Sequence, residues 1–152
     1  MANTATMSQP FLIFFAGTVT GNACAQATFA GANASVVAAT ADLTGGTANQ
    51  LWQYGSDNRL YLAGSTSLCI VYVAPTQNAQ ALILVEMNQG DETQQWTWAS
   101  GFYLNNVGGS ASGTTYVMDL QNGVTTAGTK IQVWQSIAND IDQMWLAVLP
   151  VA

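Results

Sequence analysis

The chain has 152 residues, 49% of them hydrophobic and 7% charged, with eight acidic side chains against two basic ones, Arg59 and Lys130, and no histidine. Two cations cannot replace the counterions of a phosphate backbone, which excludes nucleic acid as a partner. The absence of histidine removes every Ser/His or Cys/His catalytic pair. The length suits one domain, residues 1–152, around a single core, and the apolar content argues against disorder. The net charge of −6 favours solubility and names no partner.

In chain order, the first feature is FLIFFAGTVTG at 11–21, followed by Ala23-Cys24-Ala25, which imitates a signal peptide with a small-residue cleavage site. Residues 1–10 hold no Lys or Arg, and Thr18 and Thr20 interrupt the apolar run, so it reads as a buried strand. No apolar run reaches the ~18 residues of a membrane-spanning helix, so no membrane span is expected. Cys24 and Cys69 lack zinc spacing and are too few for a disulfide framework. They read as free buried thiols, with a single bridge as the alternative, and a cytoplasmic location is expected. Neither a cofactor nor a metal is expected.

Further strands are predicted at 36–41, 69–73, 81–86, 116–120 and 130–135, separated by turns such as Gly45-Gly46, 75–78 and Asn122-Gly123. Two hairpins stand out: LWQY-GSDN-RLYLAG and WTW-ASG-FYLNN, each an aromatic strand, a polar turn and a strand carrying Tyr-Leu. No stretch has the length and 3.6-residue periodicity of a helix.

Gln-x-Trp recurs at Gln50-Trp52, Gln94-Trp96 and Gln143-Trp145, so the tryptophans fall at near-constant spacing. The third copy is followed by LAVLPVA and needs a partner strand, for which 11–15 is the candidate. Closure of this kind removes exposed sheet edges that a charge-poor chain protects badly. The repeats fall at about 11–58, 59–100 and 101–148.

These Gln-x-Trp repeats resemble the ricin-B-type β-trefoil lectins, also seen as family-13 carbohydrate-binding modules, over nearly the whole chain. The third repeat is most specific, with MDLQNG, GTKIQVW and DQMW in order. The resemblance implies an all-β fold, a β-trefoil of three pseudo-symmetric repeats of about four strands, each with one sugar pocket. It places the full set of pocket residues only in the third repeat. There Asp119 would grip vicinal sugar hydroxyls, Trp134 would stack on the sugar, and Gln132 would stand at the pocket edge. Gln143 would orient Asp119, and Asp142 stands where the family usually has Asn, with Asn139 as a substitute if the loop is rearranged. In the second repeat, Ile70 and Val71 occupy the aspartate region and Glu86 the aromatic one. In the first, no aspartate or aromatic falls at the right distance.

The tryptophans of Gln-x-Trp read as core, since a large ring with one N–H suits a buried interface. Trp98 and Tyr54 read as structural. Asp140 and Asp142 read as a solvated loop rather than a cation site or acid/base pair. The expectation is a non-enzymatic lectin for glycoproteins or glycolipids ending in galactose or N-acetylgalactosamine. A homodimer is expected for avidity. The resemblance includes small cytoplasmic fungal lectins with a defensive role. The alternatives are a β-trefoil protease inhibitor acting through a surface loop and a carbohydrate-binding module of a larger glycosidase.

Overall fold

The structure is a computed structural model that describes residues 5–17 and 22–151. Residues 18–21, the end of the run that imitates a signal peptide, lie outside the described residues. Among the described residues there are twelve strands and three short 3-10 turns. The first four strands are β1 (Leu12–Phe15), β2 (Ala23–Ala27), β3 (Val36–Thr40) and β4 (Trp52–Tyr54). Next come β5 (Leu60–Leu62), β6 (Leu68–Tyr72), β7 (Gln80–Glu86) and β8 (Trp96–Ala99). The last four are β9 (Tyr103–Asn106), β10 (Tyr116–Leu120), β11 (Ile131–Gln135) and β12 (Trp145–Val148).

Six strands close into a barrel. The antiparallel pairs β4–β5, β8–β9 and β12–β1 supply three hairpin-like ribbons. They are joined by three matching hydrogen bonds from tryptophan amides: Trp52 to Phe11 O (2.8 Å), Trp96 to Asn58 O (2.7 Å) and Trp145 to Phe102 O (2.9 Å). The pairing of β1 with β12 runs from Leu12 opposite Val148 to Phe15 opposite Trp145, as the terminal apolar run predicts. The remaining hairpins, β2–β3, β6–β7 and β10–β11, cap one end of the barrel. They touch one another through the bridges Ser35–Ile83 and Val37–Lys130 and the pair Gln132–Ala81. Barrel and triangular cap together are a β-trefoil, four strands per repeat.

The three Gln-x-Trp tryptophans are almost wholly buried, and each indole Nε1 donates to a carbonyl of a cap strand: Trp52 to Ala25, Trp96 to Ile70 and Trp145 to Met118. A buried indole with its one N–H satisfied is the arrangement its chemistry demands. Tyr54 and Trp98 pack against this core from partly buried positions. β2 is the strand that sequence reading misses. Its residues, ACAQA, are small and of low strand propensity, and pairing with β3 along five positions holds it in place. Cys24 and Cys69 are free and buried.

Candidate functional site

A hydrogen-bond frame recurs three times and fixes which positions correspond. Each Gln of Gln-x-Trp is buried, accepts a backbone N–H from the preceding loop and donates to the last residue of a cap strand. Gln143 accepts from Ile137 N and donates to Gln135 O; Gln94 accepts from Asn88 N and donates to Glu86 O; Gln50 accepts from Asp42 N and donates to Thr40 O. With the tryptophan bonds, this aligns Met118 with Ile70 and Ala25, and Asp119 with Val71 and Gln26.

In the third repeat the frame carries charge. Asp119 on β10 faces Gln132 on β11 in register, and both are buried. Gln132 Nε2 donates to Asp119 Oδ1 at 2.9 Å, and Gln143 Nε2 donates to Oδ2 at 3.2 Å. The carboxylate is thus held from both sides while its neighbours Met118 and Leu120 point into the core. Strand alternation puts Trp134, two residues beyond Gln132, on the same outward side, where it is half-buried. Gln132 Oε1 is buried and has no partner.

Asp119, Gln132 and Trp134 line an open pocket of about 170 Å³. Its rim is made by Asp140, Asp142 and Ile137 from one loop and by Asn122 from the turn after β10. Asp140 caps the 3-10 turn Ile141–Gln143 by accepting from Asp142 N at 3.0 Å. On the other side, the Gln121–Gly123 turn carries Asn122 and Gly123 with positive φ, and a Cβ on Gly123 would lie 2.3 Å from Asp142 Oδ1. Glycine is needed there both for the left-handed backbone and for the approach of Asp142.

All five expected site residues therefore converge: four line the pocket, and Gln143 lies behind it, orienting Asp119. Asn139 does not line the pocket; its N–H donates to Tyr103 Oη, on the exposed side of the loop. Sequence reading missed Asn122, Ile137 and Asp140. The Asn-Gly pair three residues after Asp119 and the Asp-x-Asp capping pattern are the signals that mark two of them.

Burial pushes the Asp119 carboxyl up to about 6, assisted by the nearby Asp142 and Asp140 and opposed by the two glutamine hydrogen bonds. Asp142 is likewise raised by burial and by Asp140. The pocket lining has no basic side chain. Arg59 is buried against Asp57 (3.2 Å) and loop carbonyls, and Lys130 donates to Ala79 O.

The other two repeats hold the same frame without the pocket's chemistry. In the second, Val71 and Ile83 stand opposite each other where Asp119 and Gln132 do in the third. The residue at the place of Trp134 is Val85; Glu86, expected there from spacing, matches Gln135, because its carbonyl is the one that Gln94 bonds. The correction is one residue, and in a strand one residue changes the face. In the first repeat Gln26 takes the aspartate position, and its Oε1 accepts from Gln50 Nε2 at 2.8 Å. Val37 and Ala39 replace Gln132 and Trp134.

The sequence profile of the ricin-type β-trefoil lectin domain matches residues 16–145. The chain belongs to the ricin-type β-trefoil lectin family. No curated protein sequence matches this ricin-type chain. Solved structures of the same fold include the earthworm R-type lectin C-half in complex with N-acetylgalactosamine, at 12% identity and a TM-score of 0.73, covering 93% of this chain and 98% of that one. The ricin B-like lectin of Macrolepiota procera in complex with lactose matches at 18% identity and a TM-score of 0.68, covering 93% and 96%. The agglutinin of Abrus precatorius matches at 16% identity and a TM-score of 0.69 over 95% of this chain. This ricin-type chain spans about half, 47%, of that agglutinin chain.

Proposed function

We propose that the chain is a non-enzymatic lectin that binds glycans ending in galactose or N-acetylgalactosamine through the third-repeat pocket. The observation that carries this reading is Asp119, a buried carboxylate held by Gln132 and Gln143 beside a half-exposed indole. An ionised carboxylate accepts hydrogen bonds from two neighbouring hydroxyls, each about 1.5–3 kcal/mol, and Trp134 covers an apolar sugar face. Sugar binding by two proteins of this fold, with N-acetylgalactosamine and lactose, supports the sugar class. Asp142 and Gln132 complete the rim. In this reading Asp119 is spoken for by hydroxyls, and the two carboxylates that remain, Asp140 and Asp142, sit two residues apart on one rim loop rather than on either side of a scissile bond.

A single shallow site gives an affinity on the order of micromolar to millimolar, about −8 to −4 kcal/mol. Avidity then comes from a homodimer presenting two sites, which light scattering of the purified chain tests directly. The primary test is a glycan array with the wild type and Asp119→Ala side by side. Galactose- or N-acetylgalactosamine-terminated glycans captured by the wild type and lost in the variant support the reading. Glycan binding that survives in the variant moves the site elsewhere.

A further inference from the structure

The charge of the pocket goes beyond what gripping a neutral sugar requires. Three carboxylates, Asp119, Asp140 and Asp142, line one opening, and no basic side chain lines it with them. The chain has only two basic side chains in all. Arg59 is buried in its ion pair with Asp57, and Lys130 is turned to the Ala79 carbonyl. The pocket's negative field therefore has no side-chain counterion within the molecule.

The pocket is also rich in acceptors. Gln132, a lining residue, donates to Asp119, and its Oε1 is buried without a partner. Asp140 spends one oxygen on capping the 3-10 turn. A ligand that suits this lining brings N–H donors and positive charge. Among the described residues, no group of three or more acidic or other metal-ligating side chains is arranged to hold a metal ion. An organic cation the size of a sugar substituent fits the arrangement better than a bare ion.

Resting on the lectin reading above, we propose that this site selects by charge: it prefers a terminal galacto-configured sugar bearing a free ammonium at C2, takes neutral galactose less tightly, and rejects acid-bearing sugars. An ammonium on the carbon next to the gripped hydroxyl pair stays among the rim carboxylates and supplies three N–H donors. N-acetylation erases both the charge and two of those donors. A carboxylate or sulfate on the sugar meets like charge, which acts as a rejection device without any steric clash.

The test is titration calorimetry of the full chain at pH 7 with the methyl glycosides of galactosamine, galactose and galacturonic acid. These three share ring configuration and differ in charge. At about 0.02 M salt galactosamine is expected to bind about tenfold tighter than galactose, and galacturonate about tenfold weaker; at about 0.5 M salt the spread shrinks toward twofold. Asp140→Asn keeps a capping side chain and removes one rim charge. It is expected to narrow the low-salt spread between the three sugars to about threefold; an unchanged spread would overturn the role of the rim charge. Equal affinities for the three sugars at low salt overturn charge selection and leave the lectin reading intact. Failure of all three to bind overturns both.

Discussion

The second and third repeats hold the same frame and put opposite chemistry on it. In each, a buried glutamine ties the preceding loop to the last residue of a cap strand, and a buried tryptophan bonds a cap-strand carbonyl. On the face above that frame, the second repeat has Val71 opposite Ile83, while the third has Asp119 opposite Gln132. The loop before Gln94 is tied down by the Arg59 guanidinium, which donates to the carbonyls of Asn88, Gln89 and Asp91. The corresponding tie in the third repeat is a neutral phenol, Tyr103, donating to Ile137 O. Residues that build the frame and residues that line the pocket are thus largely separate sets, and the second can change while the first is kept.

If the frame is equivalent in all repeats, truncating its tryptophans should hurt equally. Trp52→Ala, Trp96→Ala and Trp145→Ala are each expected to cost about 3–5 kcal/mol in urea denaturation. A cost that differs by more than about 2 kcal/mol between repeats would break the equivalence. The converse experiment copies the second repeat onto the third: Asp119→Val with Gln132→Ile. Sugar binding is expected to vanish. Folding stability at pH 7 is expected to rise by about 1–3 kcal/mol, because the double change removes a buried carboxylate that is costly to ionise. A destabilised double variant would show that the Asp119 cluster belongs to the frame after all.

Trp134→Ala should separate the two sets from the other side. Its ring is half-exposed, so it should weaken binding by about tenfold to a hundredfold and cost under about 1 kcal/mol of stability.

A further effect is in pH. Asp119 titrates at about 6 in the fold and at about 3.9 in an unfolded chain. Between those values the folded state binds the extra proton, so stability falls as pH rises through the window. In the proposed binding mode sugar affinity depends on the carboxylate and should fall by up to about tenfold per pH unit below 6. Affinity and stability should therefore move in opposite directions between about pH 4 and 6, and thermal melts and calorimetry across that window check both. The Val/Ile double variant should flatten the stability trend.

Much of this was legible in the sequence because it is carried by large, rare side chains at fixed spacing. Trp52, Trp96 and Trp145 announce the repeat. Matched to the pattern of the ricin-type lectins, the spacing of Asp119, Gln132, Trp134 and Gln143 points to a pocket, and the fold brings these residues together. What escaped was carried by small residues or by single-residue register. β2 is built of alanines around Cys24 and Gln26, whose strand character comes from pairing rather than propensity. The replacement of Trp134 by Val85 rather than Glu86 depends on which carbonyl Gln94 bonds, and spacing alone does not reveal that. Likewise, Ile137 reaches the pocket through a loop backbone held by Gln143, a contact with no pattern of its own in the sequence.

The frame also aligns the two cysteines. Cys24 pairs with Phe14, Cys69 with Tyr61 and Val117 with Asn105, at one position before the carbonyl that each tryptophan bonds. The two thiols are pseudo-symmetry mates, and burial chiefly pushes both up to about 12. A thiol held protonated in a closed strand reacts with alkylating reagents only when that strand leaves the fold. The molecule thus carries two buried chemical clocks at matched positions, one in the first repeat and one in the second. Their relative labelling rates, resolved by peptide mass, report whether neighbouring lobes of a trefoil open together or in turn.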